Sequence, residues 1–154
     1  MRGLEFKSHS PPRHGGGTAL RGVAVLELDY PELGEYAEKL VERSLRRISM
    51  SKMRRLHQEI VRIRDIVVRG EGLEECRKLL PRLRYLLAYI YGRLGGGEKR
   101  NFQEYMETLK RTIDALLHSQ DPEKLREGVE KLYMFSEAIV AYHKYHEEGG
   151  RRGR

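Results

Sequence analysis

Lys78, Arg82, Tyr85, Tyr89 and Arg93 recur at intervals of three and four residues, so a helix carrying them presents all five on one side. Cations interleaved with aromatic rings are residue types that RNA recognition uses: the cations take phosphates, and the rings stack on bases or pack against ribose. The same five also read as a solvated basic face with tyrosines in a helix interface, and the spacing leaves both readings open. Upstream, Lys52, Arg55, Arg62 and Arg69 lie near one another off an apolar stripe, with Arg54 and Arg64 flanking. One such stripe is usually only solvated; beside a second basic helix it becomes one wall of a groove.

A catalytic or metal site needs convergent groups, and no such set stands out. Arg111 and His118, seven apart on one helix face, resemble the Arg-x(4–6)-His motif of helical HEPN ribonucleases, but Thr112 replaces the polar amide or acid that follows the arginine there. His143 and His146 are one helical turn apart without third and fourth ligands at site-like spacing, and read as surface histidines near the chain end. Glu104, Glu107 and Asp114 read as helix-surface charges. The single cysteine, Cys76, falls on an apolar stripe and reads as a small core residue. No catalytic residue, metal or cofactor is therefore expected.

With 154 residues, 39% apolar and 34% charged, the chain suits one compact domain. It has neither an apolar run long enough for a membrane span nor a signal peptide, so a cytoplasmic protein without a membrane partner is expected. The net charge of +7 is concentrated: residues 43–93 hold 14 Lys/Arg against five Asp/Glu, and residues 94–148 hold eight against 11. A polyanion that releases counterions on contact explains such a concentration. An excess of arginine, 21 against nine lysines, suits phosphate forks but also occurs in ion-pair networks.

The elements that position these residues follow from apolar periodicity. Residues 1–28, rich in glycine and proline at their start, read as a flexible arm; within it Val23-Ala24-Val25-Leu26 stays unassigned between strand and packed extended segment. Asp29 and Glu32 open a first helix over 30–48. Ser49 or Ser51 caps a second over 51–69, with Gly70 at its left-handed end. A third runs from Leu73 to Tyr91 and bends at Pro81; Gly92 and then Gly95-Gly96-Gly97 end it as a linker. Asn101 with Glu104 starts a fourth, and Asp121-Pro122-Glu123 a fifth. The expected fold is all-α: a compact bundle of about five helices over 29–148, with flexible N- and C-terminal tails, the latter a disordered basic segment over 149–154.

Three blocks resemble the small subunit of type III-A (Csm-type) CRISPR interference complexes. Ser51-Lys52-Met53-Arg54-Arg55-Leu56-His57-Gln58-Glu59-Ile60 is similar to that family's Ser-Gln-hydrophobic-Arg-Lys-hydrophobic-aromatic-x-Glu-hydrophobic helix. Leu87-Ala88-Tyr89-Ile90-Tyr91-Gly92-Arg93 is similar to its Leu-Ala-Tyr-Ala-Ala-Gly-Arg segment, and Phe135-Ser136-Glu137-Ala138-Ile139-Val140-Ala141-Tyr142-His143-Lys144-Tyr145 to its C-terminal Phe-x-Glu-Ala-Ile-Val-Ala-Tyr helix. Where the family carries Lys-Pro-Lys before Leu-Ala-Tyr, this chain has Arg84-Tyr85-Leu86; Arg84 can replace the first lysine and Leu86 cannot replace the second.

The resemblance implies a non-catalytic RNA-binding subunit of an antiviral ribonucleoprotein. Copies would stack as an inner filament beside guide RNA, target RNA, RRM-like backbone subunits and a large subunit, with self-association as a dimer. It also implies that the duplex is held by phosphate-backbone contacts. Lys52, Arg54, Arg55, Arg62, Lys78, Arg82, Arg84 and Arg93 are the RNA-binding candidates. Two rivals remain open: a HEPN-like ribonuclease using Arg111 and His118, and a helical adaptor whose basic face binds acidic protein.

Overall fold

A computed structural model of the protein describes residues 22–70 and 73–152. Five helices account for most of it, and there is no strand among the described residues. They are α1 (Tyr30–Arg43), α2 (Met50–Val68), α3 (Leu73–Gly92), α4 (Gly96–His118) and α5 (Pro122–Arg152). Most of the arm expected to be flexible, residues 1–21, lies outside the described residues, as do 153–154.

The helix starts follow local chemistry. Asp29 Oδ1 accepts from the Glu32 N–H at 2.9 Å and Pro31 fills the first turn of α1. Asp121 Oδ1 accepts from the Glu123 N–H at 3.0 Å ahead of Pro122, as the cap-then-proline order requires. Gly70, at φ +70°, takes the left-handed conformation after α2.

Four boundaries differ from the expectation. The first helix does not reach residue 48. It stops at Ser44, whose φ and ψ of −146° and −50° leave the helix and whose Oγ donates to the Leu40 carbonyl at 2.9 Å. Leu45 and Ile48 stay buried through the following 3-10 turn, so the apolar spacing continues where the helix does not. The second helix begins at Met50 without a side-chain cap; Ser49 and Ser51 pair their hydroxyls at 3.3 Å instead. The glycine run is no linker, and Asn101 caps nothing. Gly95 is the N-cap of α4, Gly96 and Gly97 form its first turn, and Glu98 Oε1 accepts from the Gly95 N–H at 3.4 Å. At the other end α5 continues past 148 to Arg152.

Residues 22–28 are structured although composition placed them in the arm. Val25 and Leu28 are buried, a 3-10 turn spans Val25–Glu27, and the Val25 N–H donates to Thr112 Oγ1 at 3.0 Å. The segment wedges between α4 and α5, where Gly128 gives it room: a Cβ there would lie 2.5 Å from a Leu116 methyl and 2.8 Å from a Leu26 methyl.

α5 packs along both α1 and α2, while α3 rests on α2 and on α4. At the centre Tyr36 stacks on Phe135 with centroids 5.6 Å apart, and Tyr105 closes on Phe135 at 6.0 Å. The Tyr36 hydroxyl shares a 2.9 Å hydrogen bond with Thr108, the Thr112 hydroxyl donates to the Thr108 carbonyl at 2.7 Å, and burial pushes the Tyr36 phenol up to about 12. Cys76 is a buried core residue, its thiol pushed up to about 11 by burial. His143 is not a surface histidine: its Nε2–H donates to the Ile48 carbonyl at 2.7 Å, tying the α1–α2 connection to α5.

Candidate nucleic-acid interface

α2 has two working sides. Its apolar residues Met53, Leu56, Ile60 and Ile63 are buried, and Arg55, Arg62 and Arg69 form an exposed stripe beside α3. On α3 the apolar residues Cys76, Leu79, Leu80, Leu83, Leu87 and Ile90 face inward, which turns Lys78, Arg82, Tyr85, Tyr89 and Arg93 outward. The two outward faces meet at Tyr89. The Arg55 guanidinium of α2 lies over its ring at 5.4 Å from the centroid, the Arg93 guanidinium of α3 at 5.6 Å, and Arg93 Nη1 donates to the Tyr89 hydroxyl at 2.8 Å. No carboxylate pairs with either arginine among the described residues.

Four more candidates lie on α2 and α3. Arg82 is exposed and has no ion pair or hydrogen bond among the described residues. Lys52, Arg62 and Lys78 carry loose ion pairs at 3.8–3.9 Å, to Glu98, Glu59 and Glu75 respectively. Exposed pairs of that length contribute about 0–1 kcal/mol, so a phosphate competes with them at little cost.

Two candidates lie elsewhere. Arg84 is nine residues from Arg93, about 180° around the helix, and its Nη1 donates to Asp114 Oδ1 of α4 at 2.7 Å. Arg54 points away from α3, into a shallow pocket with Met50, Lys144, Glu147 and Glu148 at the end of α5. Neither joins the ridge around Tyr89.

Among the remaining groups, Arg64 is a structural cation. Its guanidinium sits 4.4 Å from the Tyr133 ring centroid on α5 and its Nε donates to Glu130 at 3.3 Å. Next to it His57 shares a 2.9 Å hydrogen bond with Ser136 and stacks on Tyr133, and burial lowers its pKa below the usual 6.5. His118 Nδ1 donates to the Asp114 carbonyl of its own helix at 2.6 Å, while Arg111 is exposed on the side of α4 near Gly22. No cluster of three or more metal-ligating side chains exists among the described residues.

Sequence spacing located the α3 face but not the part Tyr89 plays in joining it to α2. A signal for it exists: Tyr89 and Arg93 are one turn apart, and Arg55 begins the α2 stripe. The three sequence blocks singled out above meet across α2, on two different sides of it. Arg55 of the first meets Tyr89 of the second, and His57 of the first meets Ser136 of the third. Compared with known protein families, the chain matches Csm2 Type III-A over residues 27–149, a span that takes in all of α1 to α4 and most of α5. No curated protein and no solved structure matches it.

Proposed function

From the premise that this chain belongs to the Csm2 Type III-A family, and so is a small subunit that partners the other Csm subunits of a type III-A CRISPR complex, we propose that it holds the guide RNA–target RNA duplex by phosphate contacts on the α2–α3 ridge. The observation that carries this reading is the pair of arginines, Arg55 and Arg93, gathered over Tyr89 from two helices with no carboxylate to neutralise them. A guanidinium held in place by a ring and left without an acidic partner has its charge and its remaining donors free for a phosphate. Arg62, Arg82, Lys52 and Lys78 extend the charge along the ridge. A duplex can be held in this way without sequence preference, because its shape and phosphates are the same for every guide.

The subunit is non-catalytic in this proposal. It stacks in copies as an inner filament beside the backbone and large subunits in the cytoplasm, and self-associates as a dimer when isolated. RNA cleavage by the purified protein that disappears in His118→Ala would overturn the non-catalytic part. Light scattering showing only a monomer at high concentration would overturn the dimer.

Binding of unrelated RNA duplexes as a function of salt tests the ridge. Arg55→Ala with Arg93→Ala should weaken all of them alike and flatten log K against log salt by roughly 1.4 to 1.8, at about 0.7 to 0.9 for each phosphate no longer neutralised. Lys124→Ala with Arg126→Ala, on the exposed start of α5, serves as the control and should leave the slope unchanged. Equal weakening by both pairs would remove the ridge from consideration.

A further inference from the structure

Two tyrosines stand one turn apart on the ridge, and their surroundings differ. Tyr89 already has two guanidiniums over its ring and a hydrogen bond at its hydroxyl. Tyr85 is 71% exposed, more than any other exposed large hydrophobic residue described, and has no hydrogen bond, ring contact or cation over its ring among the described residues. Its flank is cationic: Arg82, three residues before it, is exposed and without a partner, and Lys78 lies two turns before it on the same side. A bare aromatic ring in a basic surface has the charge of a nucleic-acid site and a flat apolar face that phosphate contacts do not use.

We infer that Tyr85 is a stacking platform for one unpaired base, so that the ridge takes a nucleotide turned out of the duplex, or a single strand, as well as paired backbone. This rests on reading the ridge as an RNA surface. Within a helix both faces of a base are covered by its neighbours, and a ring standing on the outer side of α3 reaches only a base that has left the stack. The guanidinium of Arg82 is placed one turn from the ring to take the phosphate next to that base.

The test measures binding of the full chain to a single-stranded RNA, a fully paired RNA duplex, and the same duplex with one unpaired nucleotide. Tyr85→Ala should weaken the first and third by about 5- to 150-fold, the span of a single base–aromatic stack, and leave the paired duplex within about twofold. Tyr85→Phe should bind like the unaltered protein, because the ring and not the hydroxyl makes the contact. The salt slope should not change in either variant, since no charge is removed. Equal weakening of all three RNAs, no weakening of any, or a Tyr85→Phe effect as large as that of Tyr85→Ala would overturn the inference. So would a Tyr85→Ala protein that binds every RNA normally but no longer self-associates, which would make the ring a contact between copies. Failure of the ridge itself reads out separately, as an unchanged salt slope in Arg55→Ala with Arg93→Ala.

Discussion

On the side of α2 that faces α5, the Arg64 guanidinium covers the Tyr133 ring at 4.4 Å and is closed off by Glu130 at 3.3 Å. On the side that faces α3, Arg55 covers Tyr89 at 5.4 Å, Arg93 covers it at 5.6 Å, and neither forms an ion pair among the described residues. Both regions pair arginine with tyrosine across two helices. In the first, the acid completes the charge and the group works as a clamp between α2 and α5. In the second, the ring fixes where the guanidiniums stand but leaves their charge uncompensated. The carboxylate, and not the cation–ring contact, separates an arginine that holds the fold from one that can hold a ligand.

The largest test of this contrast lies behind the clamp. Phe135→Ala removes the ring packed between Tyr36 and Tyr105 and should cost about 3–5 kcal/mol in denaturant unfolding, because the α1–α5 seam cannot collapse onto the gap. A smaller effect is expected from Arg64→Ala: about 1 kcal/mol of stability, from a ring contact and a half-exposed ion pair, with the RNA salt slope unaltered. The ridge pair, Arg55→Ala with Arg93→Ala, should differ in the slope: it loses about 0.5–1 kcal/mol of stability for each exposed ring contact and flattens the salt dependence as well. If Arg64→Ala flattens the slope as much as the ridge pair, the two sides are no longer distinct. Arg84→Ala belongs with the clamp, since Asp114 closes its charge. It should change melting by less than about 1 kcal/mol and the slope not at all.

The smallest effect is on pH. Burial lowers the His57 pKa in the folded protein, so below the unfolded value near 6.5 the unfolded chain binds a proton more readily than the native one. Stability from this group is therefore full above that value and falls as pH drops toward the folded pKa. Melting curves between neutral and mildly acidic pH should show a shallower acid-side decline for His57→Gln than for the unaltered protein, and identical curves would remove His57 from the clamp.

Much of the fold could be read from apolar spacing, because each helix buries one stripe and the stripes Met53-Leu56-Ile60-Ile63 and Cys76-Leu79-Leu80-Leu83-Leu87-Ile90 are regular. The break at Ser44 could not, since Leu45 and Ile48 keep the helical rhythm across it and only the serine's bond to Leu40 marks the exit. The start of α4 was hidden by composition: a run of glycines resembles a linker, and what makes it a helix start is one carboxylate, Glu98, returning to the Gly95 amide. Of the eight candidate cations, the six on the ridge share a face that a helical wheel can show. Arg84 entered through family resemblance, and its position half a turn from Arg93 was the signal against it. The acids that decide which arginines are occupied, Glu130 and Asp114, lie 66 and 30 residues away from theirs, beyond what local spacing conveys.

The bond from His143 to the Ile48 carbonyl spans 95 residues, and around it α5 supplies the packing partner of both α1 and α2. On the ribosome this order of synthesis has a consequence. The first two helices emerge well before the helix that covers them, and roughly 75 residues separate Val68 from His143. At about 5–20 residues per second the nascent chain waits on the order of 4–15 s with the α1 stripe, and the part of the α2 stripe that α5 will cover, exposed. Translation of the last helix, more than any local helix formation, sets the moment at which the first two helices find the partner that completes the core.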